Sequence, residues 1–231
     1  MIGSANAASI AITEDFEGGS PDGWTAIGAG VTTAATGNPG NGLTVAAGEN
    51  YLSSDFSFDT TEDFNGSFDF ILDDGAFYDN ISFFVGDFST LNSGANDYFR
   101  VDLKKATFGR RASIYNGNGN TDPDKLFNGD NNNQNSISDG NWYTTDFAWT
   151  AATKSFTFGW ELAGGGGAKG PMTFTGFSFN DPEAVKFGLG TIDAAGRFDN
   201  FSVTGVETVP EPSSTALLGL GGLALMFRRH R

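Results

Sequence analysis

The sequence predicts an all-β fold: a two-sheet antiparallel β-sandwich of jelly-roll type, followed by a short C-terminal hydrophobic helix. Three observations carry this reading. Phenylalanine (23 residues) and glycine (33 residues) are abundant in the 231-residue chain, a composition that favours strands and turns over helices. Apolar and polar residues alternate in short runs separated by turn signals. No stretch before Val209 sustains a 3.6-residue period, so the parallel βαβ architectures drop out and two stacked antiparallel sheets remain as the way to bury the alternating faces.

The elements follow in order. Phe56 and Phe58 form a first short run, and Phe64, Phe68 and Phe70 the next. Ile81, Phe83 and Val85 mark a strand after the turn residues Asp79-Asn80. Phe99, Val101 and Leu103 alternate with Arg100 and Asp102, which predicts a half-buried strand with one wet face, and Phe108 to Tyr115 is its expected hairpin partner. Phe147 and Trp149 lead through a turn at Ala151-Ala152-Thr153 to Phe156, Phe158 and Trp160. Val185, Phe187 and Leu189, then Phe198 and Phe201 to Val203, close the domain. Asn116 to Gly140, rich in Asn, Gly and Asp, reads as a long loop, and Gly164 to Gly167 as a flexible tip. The expected division is 1–8 as the remnant of a signal peptide and its cleavage site, 9–208 as the sandwich, and 209–231 as a sorting segment.

Composition removes several chemistries. The chain has no cysteine, and its one histidine is His230 in the terminal segment, so thiolate metal sites, cysteine nucleophiles and a Ser-His hydrolase are excluded from the sandwich. Of the charged residues, 27 of the 28 acidic and 10 of the 13 basic ones precede Val209, a balance of −17. Such a surface repels nucleic-acid phosphates and is compatible with Ca²⁺, a hard cation that prefers carboxylate and carbonyl oxygens.

The terminal segment reads Val209-Pro210-Glu211-Pro212-Ser213-Ser214-Thr215, then an apolar run from Ala216 to Phe227, then Arg228-Arg229-His230-Arg231. The stretch from Ser213 to Phe227, as a helix, would reach about 22 Å, short of the roughly 30 Å hydrocarbon core of a bilayer. Flanking polar groups and snorkelling arginines reduce the deficit. The basic end favours a cytoplasmic C-terminus with the sandwich outside. Gly219, Gly221 and Gly222 weaken the helix, which suits a transient stop better than a permanent anchor. Pro-Glu-Pro, a short apolar helix and an arginine cluster, in that order at the extreme C-terminus, resemble the PEP-CTERM sorting signal of bacterial secreted proteins. The resemblance implies processing by exosortase, a membrane protease-transpeptidase, with Pro210, Glu211, Pro212, Arg228, Arg229 and Arg231 as signal residues. It also implies a host that makes extracellular polysaccharide. At the other end, Ser4-Ala5-Asn6-Ala7-Ala8 has the small-residue spacing of a signal-peptidase site, which places the signal peptide itself upstream of Met1.

Glu14-Asp15-Phe16-Glu17-Gly18-Gly19, with Gly23-Trp24, resembles the opening of jelly-roll carbohydrate-binding modules, and Arg197-Phe198-Asp199-Asn200-Phe201-Ser202-Val203 resembles their closing strand. Concanavalin-like laminin-G domains look similar at this level. The resemblance implies adjacent first and last strands sharing a structural Ca²⁺, with Glu17, Asp199 and Asp15 as ligands. Sugars stack their apolar C–H faces on exposed aromatic rings. Trp142 and Tyr143 are the candidate platform, with Asn141 and Asp139 as hydrogen-bonding neighbours and Tyr98 and Tyr115 as further members. A glycosidase needs two carboxylates at a set separation. Glu14, Asp15 and Glu17 have the wrong spacing, Asp73 and Asp74 point to opposite faces of a strand, and Glu161 and Glu183 lack acidic neighbours in sequence. The expectation is therefore an exported, non-enzymatic, glycan-binding surface or matrix protein. A ligand-free structural matrix component is the alternative, and a glycoside hydrolase stands third.

Overall fold

The computed structural model describes residues 9–18, 21–48, 50–74, 80–87, 97–104, 112–116, 124–128, 137, 140–167, 169–175, 179, 185–191 and 195–207. In chain order the strands are β1 (Ser9–Glu14), β2 (Trp24–Ile27), β3 (Val31–Gly37), β4 (Gly40–Val45), β5 (Asn50–Ser54), β6 (Phe64–Asp74), β7 (Asn80–Asp87) and β8 (Asp97–Lys104). They continue with β9 (Ala112–Asn116), β10 (Asp124–Asn128), β11 (Tyr143–Thr150), β12 (Ser155–Leu162), β13 (Lys169–Thr175), β14 (Lys186–Thr191) and β15 (Ala195–Val206). One 3-10 turn, Ala151–Thr153, is the only helical element among the described residues. The all-β expectation is met, and the pairings are antiparallel throughout.

Two sheets form. One runs β13-β12-β11-β6-β15-β4-β3 with β1 also beside β15, and the other runs β10-β9-β8-β7-β14-β5-β2. β15 carries both β4 and β1 on one flank. Gly196 to Phe198 pair with Val45 to Leu43, and Phe201 to Val206 with Glu14 to Ser9. The changeover falls at Asn200, whose φ of 50° is in the left-handed region that Asn tolerates better than most residues. The first and last strands thus lie side by side, as the carbohydrate-module resemblance implied. Pro171 sits on β13, an edge strand, where its missing N–H breaks no central ladder.

Between the sheets lies a core of rings. Phe64, Phe68, Phe70, Phe147, Phe158 and Phe198 from one sheet face Phe83, Phe99, Val101, Phe187 and Leu189 from the other, all buried. Alternation works as predicted on β11 and β12, where Trp149 and Trp160 also point inward. The stretch Asn116 to Gly140, expected as a long loop, holds β10 (Asp124–Asn128), paired with β9, and Ile137, buried in the core. Two further local expectations need correction. Phe56 and Phe58 make no strand: Ser54 Oγ accepts the Phe187 N–H at 2.9 Å and donates to the Phe56 carbonyl at 2.8 Å, ending β5, so Phe58 forms only isolated bridges to Val185 and Glu207. The second concerns β8. Its supposedly wet face is buried, with Arg100 8% and Asp102 1% exposed, beside Ser82 and Phe84 at 0%. Tyr51 and Phe84 form a second small cluster on that face, with Ile27 against it, so the seven-stranded sheet has apolar burial on both sides.

No helix among the described residues is long and apolar enough to cross a membrane. The expected C-terminal hydrophobic helix and residues 1–8 lie outside the described residues.

Candidate functional site

The β3–β4 hairpin brings the chain's opening and closing acidic residues to one place. Asp199 on β15 pairs directly with Asp69 on β6, and both side chains are buried. Asp199 Oδ2 accepts the Asn38 N–H in a short hydrogen bond, and its Oδ1 accepts the Asn200 N–H at 2.8 Å. Asp69 Oδ1 accepts from Thr144 Oγ1 at 2.7 Å, and its Oδ2 from the amides of Asn200 at 2.8 Å and Asn38 at 3.3 Å. On the hairpin's other side, Glu17 Oε1 accepts the Asn41 N–H at 2.9 Å. A side chain at Gly40 would collide with the Glu17 carboxylate, and one at Gly37 with Asp199 and the Asn41 carbonyl; Gly40 also has φ +93°. Glycine at both positions is what lets the hairpin wedge in between.

This arrangement answers the calcium expectation. Glu17 and Asp199 do reach the same end of the sandwich, close enough that Glu17 adds to the repulsion felt by Asp199. Yet the hairpin stands between them and supplies N–H donors to both. Asp15 Oδ1 is taken up by the Glu17 N–H at 3.1 Å. Among the described residues no group of three or more His, Cys, Asp or Glu side chains forms a metal donor set. Glu17, Asp199 and Asp15 as placed do not fit a bound Ca²⁺, and backbone amides do the bridging that an ion was expected to do.

Electrostatics match that packing. The Asp199 carboxyl is pushed above the usual aspartate range, first by burial and then by the charges of Asp69 and Glu17, with the Asn38 and Asn200 N–H groups pulling the other way. Glu14 is pushed up as well, mainly by burial, with Asp15 and Asp22 adding repulsion and the Phe16 N–H opposing. Glu14, Asp15 and Asp22 line a cavity of about 560 Å³ with Asn200 and Ser202.

The candidate aromatic platform is not brought together. Tyr143 is 5% exposed and stacks on Phe70 with centroids 5.3 Å apart, so it belongs to the core. The alternation on β11 that buries Phe147 and Trp149 puts Tyr143 on the same inward face. Trp142 is half-buried, its ring under the Arg197 guanidinium at 5.7 Å. Arg197 is in turn held by Asp73, with Nε 2.8 and 2.9 Å from the two carboxylate oxygens. Asn141 is exposed, and Asp139 lies outside the described residues. Tyr98 and Tyr115 belong to β8 and β9 of the other sheet.

A groove of about 390 Å³ crosses the solvent face of the eight-stranded sheet, on the side away from the ring core, and includes Asn65, Asp146, Ala148, Thr157, Glu161 and Pro171. It draws on four strands, β6, β11, β12 and β13. Asp146 and Glu161 are both exposed there. Sequence reading left Glu161 without an acidic partner because Asp146 lies on the other arm of a hairpin. The signal was available: with the turn at 151–154, equal steps back from Thr150 and forward from Ser155 bring Thr144 opposite Glu161 and Asp146 opposite Gly159.

Residues 208–231 match the PEP-CTERM protein-sorting motif. The chain carries a PEP-CTERM signal. Its expected signal residues, Pro210, Glu211, Pro212, Arg228, Arg229 and Arg231, all fall within that match and outside the described residues. The sandwich is similar to peanut lectin with a 9mer peptide, at 14% identity and TM-score 0.63, covering 88% of this chain and 100% of that one. It is also similar to lectin II from Ulex europaeus, at 13% identity and TM-score 0.61, covering 87% and 99%. The winged bean acidic lectin complexed with methyl-α-D-galactose follows at 14% identity and TM-score 0.56, covering 88% and 100%. At such identities the likeness is one of fold, a lectin-type jelly roll. Among curated proteins none matches the chain. The PEP-CTERM signal therefore follows a lectin-type sandwich with no segment assigned between them, since β15 ends at Val206, two residues before the motif starts.

Proposed function

We propose that this is an exported cell-surface or extracellular-matrix protein whose β-sandwich binds extracellular polysaccharide without cleaving it. The observation that carries the reading is the joining, in one chain, of a lectin-type sandwich to a PEP-CTERM signal. The solved winged bean acidic lectin holds a methyl galactoside, which supports a sugar as the ligand class for this fold. An exosortase-type membrane protease is the processing partner, acting near Pro210-Glu211-Pro212 while the apolar run is held in the membrane with its arginines on the cytoplasmic side. Replacing those three residues with alanine should leave unprocessed protein in the membrane fraction of the native host; release at the normal rate would remove them as a recognition element.

The glycan reading is tested by retention of the full chain on immobilised neutral, amino and acidic polysaccharides. Retention on at least one, without appearance of reducing ends in the eluate, is the expected outcome. No retention on any polysaccharide would favour the ligand-free matrix role, in which the acidic surface serves hydration alone. Reducing ends released by purified protein would make it a hydrolase.

A further inference from the structure

We propose that the tip of the β3–β4 hairpin, Asn38 to Asn41, takes the place of the structural Ca²⁺ that the carbohydrate-module resemblance implies, so that the sandwich closes without an ion. Glu17, Asp69 and Asp199 come from three separate stretches of the chain, and their like charges repel one another. A cation would offset that repulsion with positive charge. The hairpin does it with amide hydrogens.

Two residues of the tip reach all three carboxylates. The Asn38 N–H donates to Asp199 Oδ2, and the Asn41 N–H donates to Glu17 Oε1 at 2.9 Å. The Asn38 side-chain amide donates to Asp69 Oδ2 at 3.3 Å. Two further bonds fasten the tip in place. Asn200 Nδ2 donates both to Asp69 Oδ2 and to the Asn38 carbonyl, each at 2.8 Å, tying the hairpin to β6 and β15. Asn41 Nδ2 donates to the Glu17 carbonyl at 3.1 Å, tying it to the segment after β1. Each of these donors is neutral, so the clasp is assembled from dipoles alone.

The same geometry works against a cation. Ca²⁺ takes roughly six to eight oxygens at about 2.3–2.6 Å, with their lone pairs turned toward it. Here lone pairs of Asp199, Asp69 and Glu17 are turned toward N–H groups, whose positive ends would repel an ion placed among them. Space is closed as well. A Cβ at Gly37 would collide with Asp199 Oδ2 and with the Asn41 backbone, so the hairpin already fills the volume beside that oxygen. The consequence is a sandwich whose stability is indifferent to the calcium level of the surrounding medium.

The test is a melting experiment on the full chain, with wild type and Asp199→Ala each measured in calcium chloride and in EDTA. Wild type is expected to melt at the same temperature in both. A structural ion present at about a hundred times its Kd would instead raise Tm by about 5–10 °C. Asp199→Ala leaves the Asn38 and Asn200 N–H groups without their acceptor and should lower Tm by about 5 °C or more, equally in both media. Were an ion the clasp, substitution and ion would be coupled, and the loss would be large in calcium and small in EDTA. Should Asp199→Ala fail to fold, Asn38→Ala removes only the side-chain amide and should lower Tm by about 2 °C or more, again equally in both media. A wild-type Tm that rises in calcium, a loss that differs between the two media, or a variant that melts as wild type each overturns the proposal.

Discussion

Phe187→Ala is expected to cost about 3–5 kcal/mol of folding stability, the range for deleting a fully buried aromatic ring. Phe187 is 0% exposed and sits on β14, a central strand of the seven-stranded sheet. Its ring lies 5.4 Å from those of Phe58 and Phe64, 5.8 Å from Phe147, 5.9 Å from Phe201 and 6.3 Å from Phe56 and Phe83. Those neighbours come from both sheets and from the Phe56–Phe58 crossing segment, so one truncation opens a cavity where all three layers of contact meet. The surrounding rings are stiff and already interlocked, which limits collapse into the void. Since domains are stable by only about 5–15 kcal/mol, this loss is a large fraction of the total. Urea denaturation of variant and wild type measures it, and a shift in stability below about 1 kcal/mol would mean that the ring cluster is not packed as described.

Asp102→Ala should be nearly as damaging, for an electrostatic reason. Asp102 is 1% exposed, accepts the Ser82 hydroxyl at 2.7 Å through Oδ1, and accepts from Arg100 Nη2 at 3.3 Å through Oδ2. Arg100 Nε lies 3.0 Å from Oδ1, off the hydrogen-bonding direction. Removing the carboxylate takes the anion away from a guanidinium that is itself 8% exposed, and breaking a buried pair from one side typically costs about 3–5 kcal/mol. Arg100→Met with Asp102→Leu removes both charges together and should cost clearly less, because desolvation is then no longer imposed on a lone ion. Equal losses in the single and double variants, read by the same denaturation experiment, would show that packing rather than charge decides the site.

That ion pair also marks a limit of pattern reading. Alternation told correctly that Phe99, Val101 and Leu103 face one way and Arg100 and Asp102 the other. It could not tell that the second face is covered, because period-2 polarity is the same for a wet face and for a buried charged pair. Trp142-Tyr143 shows the converse. Both were chosen for chemistry that suits a sugar, yet the pleat assigns successive residues to opposite faces, so at most one could be outside, and Tyr143 went to the core against Phe70. The strands of the first 54 residues were not individually foreseen. Stretches such as Val31-Thr32-Thr33-Ala34-Ala35-Thr36-Gly37 carry little hydrophobic contrast, and they become strands through pairing with β4 rather than through their own pattern.

The primary structure by itself determined the all-β class, the strand runs that carry Trp149 and Trp160, and the PEP-CTERM signal. Each depends on local order: spacing, side-chain type, or a contiguous motif. Tertiary structure alone decided which acids are engaged. Asp199 and Asp69 are engaged by Asn38 of the β3–β4 hairpin together with Asn200 and Thr144, while Asp146 and Glu161, diagonal across β11 and β12, have no such partner among the described residues. Hydrogen-bond partners are set by register and by which loop folds over which strand. Those are relations between distant segments, and no single stretch of sequence carries them.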